Sequence, residues 1–509
     1  MAEHGFLKVL EDSGVSPPPG SVPTTSLPLT FFDTSWITCR HMKRLFFYEF
    51  PFPPSHFIEN TLPDLKTSLS LALQQFFPFA GHLRLRLPQP PHSHRPYIHY
   101  ENGDSVPFLV AESKAPAEFN HLIGRDPVPL RVDELRRFVP ELPTPTNGGG
   151  GGVCQEQALM AIQVTIFPNV GVSIGITFSH VAADGRALSH FAKSWAAICK
   201  SKGDSKLVNI SPPDYSRDSI QDPHGIWSVF LKHRNEAKKP STGMSISPPD
   251  NVRVSPVFTK SQVETLKKWI ARKFVEENER DEPRLSTFVV TIAFIWVCLI
   301  KLHQSNNKTL DDHGTYVLLF QADCRDRLRL PTNYFGNCLK PCIVSVKASE
   351  IRAGNGVLMA AKAMGDAIKG LEEEPLKGAE SWMQREKQVS DGGLYRVAIA
   401  GSPKLRVYDT DFGFGRPIKS DVVHISSQSS ISIAETRDEQ GGVELGLALP
   451  LVEIVNYCRK KSKSIGTPTV GYRRWVVRGN SRGGPTVDMG GDGVTTSGGI
   501  EREIRDFEF

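Results

Sequence analysis

A histidine and an aspartate stand four residues apart in Ser179-His180-Val181-Ala182-Ala183-Asp184-Gly185. A neutral imidazole, with an ordinary pKa near 6.5, accepts a proton at cellular pH, so His180 has the chemistry of a general base. A nearby carboxylate orients such a ring or organises the loop that carries it. On spacing alone, a packed histidine and a helix-capping aspartate explain the same pattern. A metal site needs a third ligand, and neither an HExxH pattern nor a pair of cysteines supplies one. Serine nucleophile chemistry needs a GxSxG elbow at a strand-to-helix turn, and neither match, Gly171–Gly175 within an apolar strand or Gly479–Gly483 in the Gly- and Arg-rich tail, has that setting. Late in the chain, Asp411-Phe412-Gly413-Phe414-Gly415 includes the DFG triplet of protein kinases. Without an HRD catalytic loop or a GxGxxG nucleotide loop it reads as a turn with two glycines.

Two apolar strands position the histidine. Ala158–Phe167 and Val170–Phe178 are rich in Ile, Val and Thr and join through Pro168-Asn169, so they predict a hairpin with His180 at its exit. Asp184-Gly185 makes the bend, and Leu188, Phe191, Trp195 and Ile198 mark the buried face of the following helix. Upstream, Leu45–Phe50 reads as a buried strand ended by prolines, and Leu62–Phe77 as an amphipathic helix. Residues 88–96 and the glycine run 148–152 read as loops. Downstream, Phe258–Phe274 is helical. Ser286 caps a helix, Thr287–Leu302, whose apolar residues run almost all the way round, as in a buried helix. Strands are expected at Tyr316–Ala322, Cys342–Val346, Val422–Ile425, Ser430–Ala434 and Val443–Leu449, with a helix at Gly356–Leu371. Strands and helices without regular βαβ alternation predict an α+β architecture of mixed sheets flanked by helices.

At 509 residues the chain has room for several cores, and its 39% hydrophobic and 23% charged content is that of a globular protein. A net charge of +5 gives no basic field for nucleic acid. Eight scattered cysteines without a CxxC pair, and an N-terminus without a secretory apolar region, point to free thiols in the cytosol. No run is read as reaching the ~18 apolar residues that cross a bilayer. The expected division is an N-terminal domain over 1–200, a proline-rich crossover over 201–256, a C-terminal domain over 257–450, and an Arg- and Gly-rich, poorly ordered tail over 451–509.

The motifs gain weight from their order: Leu27-Pro28-Leu29-Thr30-Phe31-Phe32-Asp33, Phe77-Pro78-Phe79-Ala80-Gly81, HxxxDG at 180–185, Tyr334-Phe335-Gly336-Asn337-Cys338, and DFGFG at 411–415. From about Phe6 to Pro450 the chain resembles the plant BAHD family of acyl-CoA-dependent acyltransferases, whose motifs are HxxxD and DFGWG. Tyr334–Cys338 and the loop Ala400-Gly401-Ser402-Pro403-Lys404 are similar to its malonyltransferase branch, which acts on anthocyanin and other phenolic glucosides. Phe414 stands where the family has tryptophan, and the chain after Pro450 departs from the family's short final helix.

The resemblance implies a two-domain fold like that of chloramphenicol acetyltransferase, with a channel between the halves. His180 would take the proton from an acceptor hydroxyl as it attacks the thioester. Asp184 would hold the bend by pairing with Arg325, or else Arg327, and Asp411, counted with His180 and Asp184 in the catalytic set, would with its glycines shape the loop near the cofactor path rather than touch the reacting carbon. Arg186 would bind the malonyl carboxylate, with Ser402 and Arg325 as further substrate-binding residues. Ser286 and Thr287, at a helix N-terminus, together with Gly413 and Gly415, would line the coenzyme A path. Lys and Arg around 260–273 would add charge. No permanently bound cofactor or metal is implied. The partners are malonyl-CoA, or an acetyl- or hydroxycinnamoyl-CoA, and a glycoside acceptor; no membrane partner is expected, and the enzyme would act as a monomer. A catalytically impaired relative with an altered C-terminus is the rival reading.

Overall fold

A computed structural model describes residues 6–87, 95–125, 129–148, 153–204, 211–222, 225–236, 251–277, 284–306, 314–352, 355–391, 395–425, 430–452, 475–480 and 484–489. The hairpin is there: Met160–Phe167 pairs antiparallel with Gly171–Phe178, and every residue of both strands is buried. Both faces are covered, which is why neither strand carries a charge and even Gln163, Thr165, Ser173 and Thr177 are buried. On one face lie Leu65, Leu69 and Leu73 of the helix Leu62–Gln75 and Phe191 and Trp195 of the helix Gly185–Lys200. Against the other side pack Phe119, Leu135 and Phe138.

This hairpin is the centre of a six-stranded sheet with the order Leu7–Val15, Val106–Ser113, Met160–Phe167, Gly171–Phe178, Met42–Glu49, Lys419–Val422. The last strand comes from the far half of the chain. It pairs with Met42–Glu49 from Lys419↔Phe47 to Val422↔Arg44. The strand expected at Val422–Ile425 therefore lies three residues earlier, because pairing requires backbone registry and tolerates the polar Lys-Ser-Asp sequence. A five-stranded antiparallel sheet stands beside it, ordered Thr25–Pro28, Tyr97–Tyr100, His82–Leu87, Val153–Ala158, Thr146–Gly148.

The second large sheet runs Asn251–Val254, Val443–Pro450, Ser430–Glu435, Arg396–Ala400, Thr315–Asp323, Leu339–Lys347, with Val257–Phe258 also paired to Val443–Pro450. Helices Lys260–Glu276, Thr287–Asn306 and Gly356–Glu373 cover it. The window Thr287–Gln304 is long and apolar enough to cross a membrane by length and composition, contrary to the sequence reading. Its Val289, Val290, Ile292, Trp296 and Ile300 instead sit in the second core.

The stretch 201–256, expected as a crossover, adds structure to both halves. Ile226–Glu236 is a helix whose Ile226 and Phe230 pack against Phe31 and Phe32, and Asn251–Val254 is an edge strand of the second sheet. Residues 88–94, 149–152 and 237–250 of the expected loops lie outside the described residues, as does most of the tail. Within the tail, Trp475–Asn480 and Gly484–Met489 form a two-stranded hairpin.

Candidate active site

The strand Gly171–Phe178 stops where the Ser179 N–H donates to Leu159 O at 2.9 Å, and the next residue is His180. Its ring lies flat on Trp36, centroids 3.7 Å apart and planes 9° from parallel. Asn337 holds it from the side. The Asn337 Nδ2 donates to Asp33 Oδ1 at 3.0 Å and to the His180 carbonyl at 2.9 Å, so its Oδ1 is left to accept. That oxygen lies 3.0 Å from His180 Nδ1. The network thereby assigns the proton to Nδ1 and leaves Nε2 as the acceptor. Burial lowers the His180 pKa below the usual histidine value against the opposing pull of Asp184, Asn337 and Asp33. The ring is therefore neutral at pH 7.

Asn337 is itself anchored. Asp33 Oδ1 accepts the Asn337 backbone N–H at 2.9 Å, and Asp33 Oδ2 accepts from Thr30 N at 2.8 Å and from Arg217 Nη1 at 2.6 Å. Burial alone would lower the Arg217 pKa, but Asp33 beside it raises it. The turn between them needs glycine: Gly336 has φ +139°, and a Cβ there would meet Arg217 Nη1 at 2.8 Å.

Asp184 faces away from this pocket. It caps the helix Gly185–Lys200, accepting from Arg186 N at 3.1 Å and Ala187 N at 3.0 Å. Its two oxygens also take a bidentate pair from Arg325, at 2.7 and 3.1 Å, and the Cys338 N–H at 3.2 Å. Arg325 spends its remaining donors on Asp323 Oδ1 and on the carbonyls of Tyr334 and Gly336. Both side chains of the pair are essentially unexposed, 0% and 1%. Such a pair clamps the strand end Asp323–Arg325 and the Tyr334–Cys338 turn to the helix start. Arg325 is thus corrected from a substrate-binding residue to a structural one, because no atom of its side chain reaches solvent. Arg327 does not join the pair; it donates to the Asp323 carbonyl.

Arg186 lies on the first turn of the same helix and pairs with Asp323 Oδ2 at 2.9 Å, both about one third exposed. Ser402 caps a short turn, accepting from Lys404 N at 3.2 Å. Leu405 of that turn lies over Gly185. Ser286 Oγ accepts the Val289 N–H at 3.2 Å, and Phe288 packs on Phe320 at 5.6 Å between centroids. Phe320 is three residues before Asp323, so the helix start at Ser286 and Thr287 is carried to the same end of the strand as Arg186, within ~10 Å along it.

Asp411, Gly413 and Gly415 are elsewhere. Asp411 Oδ1 accepts from Gly413 N at 2.8 Å and Gly415 N at 3.0 Å, and its Oδ2 pairs with Lys200 at 2.7 Å. Lys200 is the last residue of the helix that Asp184 begins, and those 16 residues span about 24 Å. Asp411 therefore organises its own loop, a helix length from the base, and its place in the catalytic set is corrected: it is not a proton-transfer group. The two glycines, whose N–H groups are already engaged by its carboxylate, are not phosphate donors. Phe412 and Phe414 of this loop pack on Tyr48, with ring centroids 5.9 and 5.1 Å away, and Phe412 also meets Trp195 edge-on at 4.7 Å.

The model of the Transferase family matches residues 12–463. The chain belongs to this family, the BAHD acyltransferases. It is 40% identical over 460 residues to coumaroyl-CoA:anthocyanidin 3-O-glucoside-6''-O-coumaroyltransferase 1 of Arabidopsis thaliana, covering 87% of this chain and 94% of that one. To malonyl-coenzyme A:anthocyanin 3-O-glucoside-6''-O-malonyltransferase of Dahlia pinnata it is 34% identical over 460 residues, covering 88% and 95%. Crystalline vinorine synthase shares the fold with a TM-score of 0.59 at 19% identity, over 88% of this chain and 96% of that one. The α+β, two-domain expectation holds.

In this BAHD chain the sequence motifs delivered His180, Asp184 and Arg325 but not the rest of the pocket. Asp33 and Asn337 were visible only as letters of two motifs, and Trp36 lies three residues beyond the first of them. Asp33 and Asn337, 304 positions apart, are joined only by folding. Their signal was the recurrence of both motifs in one chain, which gives no roles.

Proposed function

We propose that this acyltransferase moves an acyl group from an acyl-CoA to a sugar hydroxyl of a phenolic or flavonoid glucoside, with His180 as general base. The observation that carries the reading is the commitment of His180 Nδ1 to Asn337, which leaves Nε2 to take a proton. Nε2 removes the proton of the sugar hydroxyl as its oxygen attacks the thioester carbonyl. The tetrahedral oxyanion collapses, the C–S bond breaks, and the sulfur leaves as the thiol after receiving the proton from the imidazolium. The glucoside acceptor is supported by the two anthocyanin enzymes above, whose names share a 3-O-glucoside and its 6''-oxygen.

The donor divides the relatives, and we favour an aromatic one. Malonyl would need a free cation, and Arg186 already has the Asp323 carboxylate as partner. Identity is also higher to the coumaroyltransferase, 40% against 34%. Malonyl-CoA remains the second reading through the similarity of Tyr334–Cys338 and Ala400–Lys404 to that branch. Competition among coumaroyl-, malonyl- and acetyl-CoA for one anthocyanin 3-O-glucoside tests both. Coumaroyl transfer is expected to lead in kcat/KM, and a dominant malonyl product overturns the donor assignment. His180→Ala is expected to lose ~10²–10⁴-fold in kcat with an unchanged circular dichroism spectrum. Retained turnover by the folded variant overturns the base.

A further inference from the structure

A second imidazole, His424, stands at the same end of the six-stranded sheet as His180. Gly171–Phe178 and Lys419–Val422 run parallel to each other, with Met42–Glu49 antiparallel between them. Phe178 pairs with Met42, and the ladder that pairs Val422 with Arg44 brings His424 level with Met42. His180 is two residues beyond that level and His424 is two strands across, an offset of about 7 Å along the strands and about 10 Å over them. The His424 ring shortens the gap. Its Nδ1 accepts the Lys43 N–H at 3.1 Å, so the ring leans onto the strand that lies between the two histidines. A charge on His180 is felt there and, with Arg44 and Arg253, opposes protonation of His424.

The turn that carries His424 is held from both sides. The Val423 N–H donates to the Lys43 carbonyl at 2.9 Å. Arg253, its side chain 1% exposed, donates Nη2 to the carbonyls of Val422 and Ile425, at 3.2 and 2.9 Å, and Nη1 to Asp421 at 3.3 Å. With Nδ1 accepting, the proton of the neutral ring lies on Nε2. That N–H has no partner among the described residues and is not sealed in by them, and the ring is half-buried.

The two histidines thus present opposite tautomers. His180 offers a bare Nε2 that takes a proton, and His424 offers an Nε2–H that gives a hydrogen bond. Acyl transfer uses both together. As the acceptor oxygen adds to the thioester carbonyl, the C=O electron pair moves onto the carbonyl oxygen. A neutral imidazole fixed in place stabilises that charge as a donor without giving up its proton.

We infer, given acyl transfer at His180 as proposed above, that His424 Nε2–H donates to the thioester carbonyl oxygen and strengthens that bond as the oxygen becomes an oxyanion. On collapse the electron pair re-forms C=O, the C–S bond breaks, and His424 keeps its proton.

Two variants separate donation from packing. In His424→Asn the side-chain oxygen still accepts the Lys43 N–H, but the amide nitrogen falls short of the Nε2 position, whereas His424→Gln carries an amide N–H out to it. With the acyl-CoA that leads in the competition assay, His424→Asn is expected to lose about 10²–10³-fold in kcat, the scale of one oxyanion donor. Its KM values for acyl-CoA and for the anthocyanin 3-O-glucoside stay within about twofold, and the acid limb of kcat/KM stays in place. His424→Gln recovers at least tenfold of the lost kcat. Near-normal kcat in folded His424→Asn, equal losses in the two variants, or an acid limb that moves with the loss overturns the donor. Should His424→Asn fail to fold, His424→Met, close to Gln in size and without a donor, takes its place in the comparison. Full activity in His424→Asn beside an inactive His180→Ala removes the donor alone, whereas free turnover by His180→Ala removes the base on which it rests.

Discussion

At the scale of the residue, His180 is set by three neighbours that act differently. Trp36 fixes the plane of the ring, Asn337 fixes its tautomer, and burial lowers its pKa. A base works only when neutral, so a depressed pKa extends activity toward acid. The acid limb of the kcat/KM profile is expected to have its midpoint below the ordinary histidine value of about 6.5. Activity is lost as pH falls through that midpoint and is full above it. His424, whose Nδ1 accepts the Lys43 N–H, is pushed down to about 3 by burial. It stays uncharged across the assay range and does not contribute to the limb. A midpoint at or above 7, read from steady-state kinetics between pH 5 and 9, would contradict this environment.

At the scale of the element, the helix Gly185–Lys200 separates two carboxylates that the family resemblance placed in one set. Asp184, at its start, is buried against Arg325, and removing one partner of such a pair costs about 3–5 kcal/mol. Asp411, beside its end, is half-buried and serves a loop and an exposed lysine, so its loss costs about 1 kcal/mol. Urea unfolding of Asp184→Ala and Asp411→Ala is expected to show that ordering, with the His180 acid limb unmoved in Asp411→Ala. The hairpin before this helix was legible because both of its strands are rich in Ile and Val and carry no charge. The helix was legible from Leu188, Phe191, Trp195 and Ile198. What the helix faces was not legible. The partners Arg186–Asp323 and Asp184–Arg325 are 137 and 141 positions apart, and charge pairing leaves no periodic mark.

At the scale of the whole molecule, the two halves are interleaved rather than joined end to end. Lys419–Val422 completes the sheet of the first half, and Phe335, Val407, Tyr408 and Phe412 fill its core. The linear division at 201–256 was read from prolines and polarity, which mark the chain's path and carry no information on which sheet a later strand enters. A fragment spanning 1–250 would expose the edge of Met42–Glu49, with Leu45, Phe46, Phe47 and Tyr48 on it, and unpaired apolar edges associate. Size-exclusion chromatography with light scattering is expected to find that fragment as aggregates, and a monodisperse folded fragment would contradict the interleaving. The late strand has a further consequence during synthesis. The ribosome adds roughly 5–20 residues per second, and 241 residues separate Phe178 from Lys419. The sheet that carries the base therefore waits about 10–50 seconds, unfinished, for the segment that closes it, and through that interval it is a client for chaperones.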